Sequence, residues 1–268
     1  MMLLCWQLAA LLSGSSVGLL GVYVVGLRMP FLGVGMAHAA MAGAVFAYLL
    51  GWPPVTLALG FALAAGIGMA WLTTTHTRAD LGTVTSILLS LTMGLAFIGI
   101  GLNQGEMTPL LGLLWGSMLF VRPADLFVMS VLGVLLALFV TCCRRPLEAL
   151  LFSHPLARAC GLPERRLLML FMVLAALLIT FNLQIVGGLL MYSLLTNPAA
   201  AAFELGTSMR AVRGWAVAFG VAGTLGGFWL SYGCNLPTGS CIVLASTLLY
   251  ALAVLAARRQ VAPGHGAS

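Results

Sequence analysis

Between Leu126 and Cys142, and again between Ile242 and Ala257, the chain is apolar on every face of a helix. Each run approaches the roughly 20 residues that a helix needs to cross ~30 Å of hydrocarbon. In hydrocarbon an unpaired backbone N–H or C=O costs several kcal/mol, roughly 4–8 on a cyclohexane reference, so a spanning chain must be helical or a closed barrel. Barrel strands alternate polar and apolar residues over about ten positions, and these runs do not alternate. Only 7% of the 268 residues are charged and 62% are hydrophobic, against about a quarter charged in soluble domains. The expected fold class is all-α, a polytopic transmembrane helical bundle.

Charges, Pro/Gly clusters and polar turns divide the chain into eight or nine spans. The nine segments fall near residues 4–27, 31–50, 54–73, 82–102, 124–142, 167–182, 185–201, 212–232 and 238–257. Residues 1–258 thus form one membrane domain, and 259–268 a short Pro/Gly-containing tail. The first 21 residues lack a basic leader and an obvious cleavage site, which reads as a retained first span. All twelve basic residues are arginine and lysine is absent. A phosphate-binding P-loop requires a lysine, so ATP-driven work would need another subunit. The arginines stand singly or in pairs beside apolar spans, a pattern of membrane orientation rather than of nucleic-acid binding. With the N-terminus outside and the C-terminus cytoplasmic, eleven arginines fall at inner boundaries and only Arg122 outside. The six cysteines show no zinc-ligand spacing and read as small membrane hydrophobes.

Two connections exceed a simple turn. Residues 103–124 are partly apolar, as in a re-entrant or interfacial helix. Residues 144–166 are the longest hydrophilic segment, in which Pro155 can open and Gly161 can close a short helix along the cytoplasmic surface. Such a helix can dock a cytoplasmic partner; the alternative is a solvated loop.

A charge near the bilayer centre costs at least ~2.5–3.5 kcal/mol, so ionisable residues within spans point to function. His38 is the clear case, about two turns into the second span, with Val34 and Met41 on its helical face. A neutral imidazole beside a thioether can receive a soft or borderline metal in transit; it can equally be hydrogen-bonded packing between helices. A second feature is the stripe Tyr192, Ser193, Thr196 and Asn197, followed by Pro198, which frees a backbone carbonyl one turn earlier. A broken helix beside such a stripe can line a pathway. No nucleophile elbow occurs and no carboxylate lies within a span, so enzyme readings fare poorly and catalytic residues are not expected. The alternatives are an ion- or proton-coupled carrier or channel without an ATPase, and a membrane assembly factor.

Four segments resemble the permeases of metal-ion ABC importers, the class that carries zinc, manganese or iron across bacterial membranes. Val186 to Ala202 is similar to the family's Val-Gly-x-Leu-Leu-Val-x-Ala-Leu-Leu-x-x-Pro-Ala-Ala-x-Ala, and Leu236 to Leu244 to its Leu-Pro-x-Gly-x-x-Ile-Val-Leu. Leu113 to Leu126 resembles its Leu-Phe-Gly-x-Ile-Leu-x-Val-x-Pro-x-Asp-Leu, and Leu156 to Leu162 its inner-loop Leu-Ala-Arg-Ala-Leu-Gly-Leu. The resemblance implies an ABC importer permease fold in the bacterial inner membrane. It implies a permease homodimer with the path at or near its interface, cytoplasmic ATP-binding subunits, and an extracytoplasmic solute-binding protein. No cofactor is bound permanently; the metal is in transit and ATP sits on the partner. Leu156, Ala157, Arg158, Cys160 and Gly161 are then the ATPase-coupling positions. Tyr192, Ser193, Thr196 and Pro198 line the path. His38, Met41 and Asn197 are the candidate metal contacts.

One departure stands out. The family's second span opens Gly-Asp-x-x-x-His, whereas here Gly33 is followed by Val34 and then His38. The histidine carries over and the aspartate does not. Loss of the carboxylate removes a charge that offsets dehydration of a divalent ion, manganese above all. Softer cargo, a chelated metal, or substitution by Asn197 or Met41 are the readings left open.

Overall fold

The computed structural model describes residues 2–29, 31–75, 81–102, 121–153, 157, 160–188 and 191–261. Among these, ten helices and no strand occur: α1 Met2–Gly26, α2 Leu32–Leu50, α3 Pro54–Thr75, α4 Leu81–Leu102, α5 Pro123–Cys142, α6 Arg144–Phe152, α7 Glu164–Val186, α8 Met191–Leu205, α9 Met209–Cys234 and α10 Thr238–Val261. Eight of them are long and apolar enough to cross a membrane; α6 and α8 are not. The expected span at 185–201 is divided differently: Ile185 and Val186 finish α7, the chain turns at Gly187, and α8 continues to Leu205. At 1.5 Å per residue the 15 residues of α8 cover about 22 Å, short of a full bilayer core.

Local chemistry sets several boundaries. Pro123 opens α5, where its missing N–H is no loss, and the Asp125 carboxylate accepts the backbone N–H of Arg122 at 2.9 Å. Ser208 caps α9 by accepting from the Ala211 N–H. Several hydroxyls inside spans satisfy themselves on carbonyls one turn back, as Thr180 does on Ala176 at 2.7 Å.

Two groups of helices make up the bundle. α1, α8, α9 and α10 pack together, α3 and α4 flank α2, and α7 bridges the groups through α3, α5, α2 and α1. Without a hydrophobic drive between helices in lipid, small residues decide how closely helices approach. Gly14 and Gly18 of α1 meet Ala216, Gly220 and Thr224 of α9, and the Thr224 hydroxyl donates to the Ala10 carbonyl at 2.8 Å. A side chain at Gly220 would strike the Gly14 carbonyl, which is backbone and cannot move aside cheaply. Gly220→Leu is therefore expected to lower stability by about 3 kcal/mol or more, the upper range for overpacking, read as a lower melting temperature in detergent.

Contacts also fix directions. Gly21 and Gly26 of α1 face Leu195 and Phe203 of α8, so α1 and α8 are parallel. Gly14 and Gly18 face residues 220 and 216 of α9, and Gly223 and Gly227 of α9 face residues 246 and 242 of α10, so each of these pairs is antiparallel. α10 thus runs with α1, and the start of the first helix and the end of the last lie at opposite ends of the bundle. The end at which α1 finishes carries a polar network. Glu148 of α6 accepts from Arg144 at 3.0 Å and from Arg213 of α9 at 3.1 Å, and Arg213 also donates to the Tyr23 hydroxyl at 3.2 Å.

Candidate metal pathway

α2 is the most buried of the spanning helices, and His38 lies in it with 1% of its surface exposed. Its Nδ1 is 2.9 Å from the Val34 carbonyl oxygen. A carbonyl only accepts, so Nδ1 carries a proton, and in the neutral ring Nε2 then presents a bare lone pair. That Nε2 is buried and has no hydrogen-bond partner among the described residues. A buried polar atom left unpaired costs about 1–3 kcal/mol. The arrangement is the one metal-ligating histidines use, one nitrogen anchored to a backbone carbonyl and the other free. It does not match a packing histidine bonded across to a neighbouring helix, since the bond it makes lies within α2.

Met41, one turn on, is also buried at 1% exposure. It belongs to a small apolar cluster with Ala42, Val45 and Ala96, packed against Phe61 and Leu95. Its side chain therefore packs where α2 meets α3 and α4. At 100° per residue His38 is turned by about 140° from Gly43, which abuts Leu57 and Ala58 of α3. The imidazole thus faces away from that contact with α3. Among the described residues no three His, Cys, Asp or Glu side chains come together, so the chemistry on offer at this point is a single imidazole with a thioether on the adjoining turn.

The stripe on α8 takes a different position. Leu195 packs against Gly33 of α2 and Gly21 of α1. Asn197, two residues on and about 200° around the helix, turns the other way. Its amide donates to Ser246 at 3.2 Å and to Thr247 at 3.0 Å, both on α10. Asn197 and His38 are therefore not brought together, and the amide holds α8 to α10. Asn197→Leu is expected to cost about 0.6–1.7 kcal/mol, the range for interhelical hydrogen bonds in membranes, measured as detergent thermal stability. Tyr192 is exposed, Ser193, Thr196 and Asn197 are half-buried, and Pro198 is buried. Thr196 donates to the Tyr192 carbonyl at 2.8 Å. The stripe thus lies on the outer surface of the chain beside α10.

In the connection after α5 a helix, α6, begins at Arg144; Pro155, the expected start of the short surface helix, lies outside the described residues, and Ala157 within that segment is helical. α6 buries Leu147 and Leu150 and leaves Phe152 exposed. Ala157 is fully buried; its N–H donates to the Ser153 carbonyl at 3.0 Å and its carbonyl accepts from Leu162 at 3.1 Å. Cys160 is exposed, and Gly161 turns the chain in the left-handed region at φ 70°, which glycine adopts without the clash a Cβ brings. Leu156 and Arg158 lie outside the described residues, as does most of the expected interfacial segment at 103–124.

Sequence reasoning passed over Asn182. It is fully buried in α7, its amide donates to the Leu178 carbonyl at 2.7 Å, and its Oδ1 has no partner among the described residues. The signal was an amide inside an apolar run, the same signal that singles out His38. Glu148 was assigned to a connection, and its pairing with a residue 65 positions away is invisible to local spacing.

Residues 1–257 match the ABC 3 transport family. The chain is 29% identical over 254 residues to the manganese transport system membrane protein MntC of Halalkalibacterium halodurans, covering 94% of this chain and 86% of that protein. It is 26% identical to the high-affinity zinc uptake system membrane protein ZnuB of Haemophilus influenzae, covering 93% and 97%. Among solved structures, PsaBC from Streptococcus pneumoniae in complex with Fab superposes with a TM-score of 0.81 at 26% identity, over 94% of this chain and 90% of that one. With nearly its whole length matched, the chain belongs to the ABC 3 transport family.

Proposed function

We propose that this chain is the membrane-spanning permease subunit of an importer for a transition or divalent metal ion, driven by ATP hydrolysed on a separate subunit. The observation that carries the cargo class is the bare, buried Nε2 of His38 on the central helix. The names of the relatives, manganese and zinc systems, support the same class. His38 acts as a transient ligand, with Met41 as its soft neighbour. Asn197 has committed its amide nitrogen to α10, so any contact it makes with cargo falls to its carbonyl oxygen.

Two copies of the chain form the working permease. A stripe of hydroxyls on the outer face of α8 is poorly placed against lipid, and a partner copy covering it turns Tyr192, Ser193 and Thr196 into a pathway lining, with Pro198 buried behind them. On the cytoplasmic side the 144–166 connection docks the ATP-binding subunit through Leu156, Ala157, Arg158, Cys160 and Gly161, and a solute-binding protein delivers the ion from outside. Counting α8 as a ninth crossing, with the N-terminus outside and the C-terminus in the cytoplasm of a bacterial cell, leaves eleven of the twelve arginines inside. Alternating access then requires a site that holds the ion in one state and releases it in the other. A site of few ligands meets that need, because losing one contact changes affinity steeply.

The test is reconstitution in vesicles with the cognate ATP-binding subunit. Metal uptake is expected only when both chains and ATP are present. Uptake by this chain alone, driven by an ion gradient, would identify a secondary carrier instead.

A further inference from the structure

We infer that the groove between α1, α5 and α9 binds an anionic phospholipid, with its phosphodiester among three arginines and its acyl chains against the helices. α5 and α9 each pack on α1 but have little contact with one another, which leaves a groove of about 590 Å³ between them. Leu19 of α1 lies in it, with Ala137 and Val140 of α5 on one side and Val217 of α9 on the other. Arg144, Arg210 and Arg213 line the same groove, one to two turns nearer the end of the bundle. The groove is therefore apolar where the spans run through hydrocarbon and cationic where they leave it.

The charges do not cancel. Glu148 accepts from both Arg144 and Arg213, while Arg210 has no ion pair among the described residues and is exposed. Three guanidiniums against one carboxylate leave two positive charges. Arg213 is held by Tyr23 and Glu148 with its side chain only 15% exposed, so one guanidinium is fixed in place before any ligand arrives. Guanidinium groups bind phosphate oxygens in bidentate fashion, and basic pockets between spans bind anionic headgroups. A soluble phosphate would use the arginines but gain nothing from Leu19, Ala137 and Val217. A lipid uses both. The inference is independent of which cargo the permease carries.

Native mass spectrometry of the purified full chain, titrated with phosphatidylglycerol, phosphatidylcholine or inorganic phosphate, tests it. Phosphatidylglycerol is expected to bind in preference to phosphatidylcholine. Arg210→Gln, at an exposed position that leaves the Glu148 network intact, should weaken that preference roughly five-fold, the factor one arginine contributes near an anionic surface. Gly214→Leu should do so without changing charge, because a side chain at Gly214 enters open space in the groove and meets no backbone. A phosphatidylglycerol preference unchanged in both variants overturns the proposal. Loss in Arg210→Gln alone reduces it to diffuse surface attraction, and displacement of the lipid by millimolar inorganic phosphate reduces it to a phosphate site. Either result contradicts a lipid groove.

Discussion

Replacing His38 with leucine is expected to cut ATP-dependent metal uptake at least ten-fold while leaving the protein as heat-stable as the wild type, or more so. The two halves of that result have one cause. Among the described residues the imidazole makes one hydrogen bond, to a carbonyl of its own helix, and its other nitrogen is buried without a partner. An apolar side chain of similar size removes that orphaned atom, relieving about 1–3 kcal/mol of unmet desolvation. A histidine retained for packing would show the opposite, lost stability with transport following it down. Loss of metal-site groups typically costs about 10–100-fold in affinity or activity. Transport assays and thermal denaturation on the same preparation separate the two roles.

The second large effect is a gain. Val34→Asp is expected to make the protein's stability respond to manganese. Residues 34 and 38 lie one turn apart on one helical face, and the Val34 carbonyl already receives the His38 N–H. An aspartate there adds a hard anionic oxygen beside the free imidazole nitrogen, a pairing suited to borderline and harder divalent ions. Without metal the new carboxylate is only partly solvated and lowers stability. With manganese at a hundred times its dissociation constant, binding to the folded state adds back about 2.7 kcal/mol. Thermal shifts of wild type and variant across a manganese titration check this, and equal responses would contradict it. The comparison bears on cargo directly, because valine at this position leaves the wild type with softer donors.

Much of the architecture was legible because membranes impose few choices. Backbone groups must be paired inside the helix, so apolar runs such as Leu126 to Cys142 can hardly be misread. The parallel course of α1 and α8 seen in the Gly21–Leu195 and Gly26–Phe203 contacts agrees with an odd number of crossings. The exact break between α7 and α8 was less legible, since Gly187 and Gly188 sit inside a run that reads as continuously apolar. Within the site, His38 stood out as a costly residue in a span. That its Nε2 is bare, and that Asn197 turns toward α10 instead of α2, depends on rotation about two helices and on residues some fifty positions apart. Periodicity places residues on a face but does not say which helix that face meets.

Elemental analysis of the metal accumulated inside vesicles carrying this chain and its ATP-binding subunit, with wild type and His38→Leu compared under turnover, bears on the whole account. The prediction is ATP-dependent accumulation of a transition metal by the wild type and at least a ten-fold loss in the variant, with the same amount of folded complex in both membranes. Equal accumulation of the same metal by both would remove His38 from the path and contradict the account.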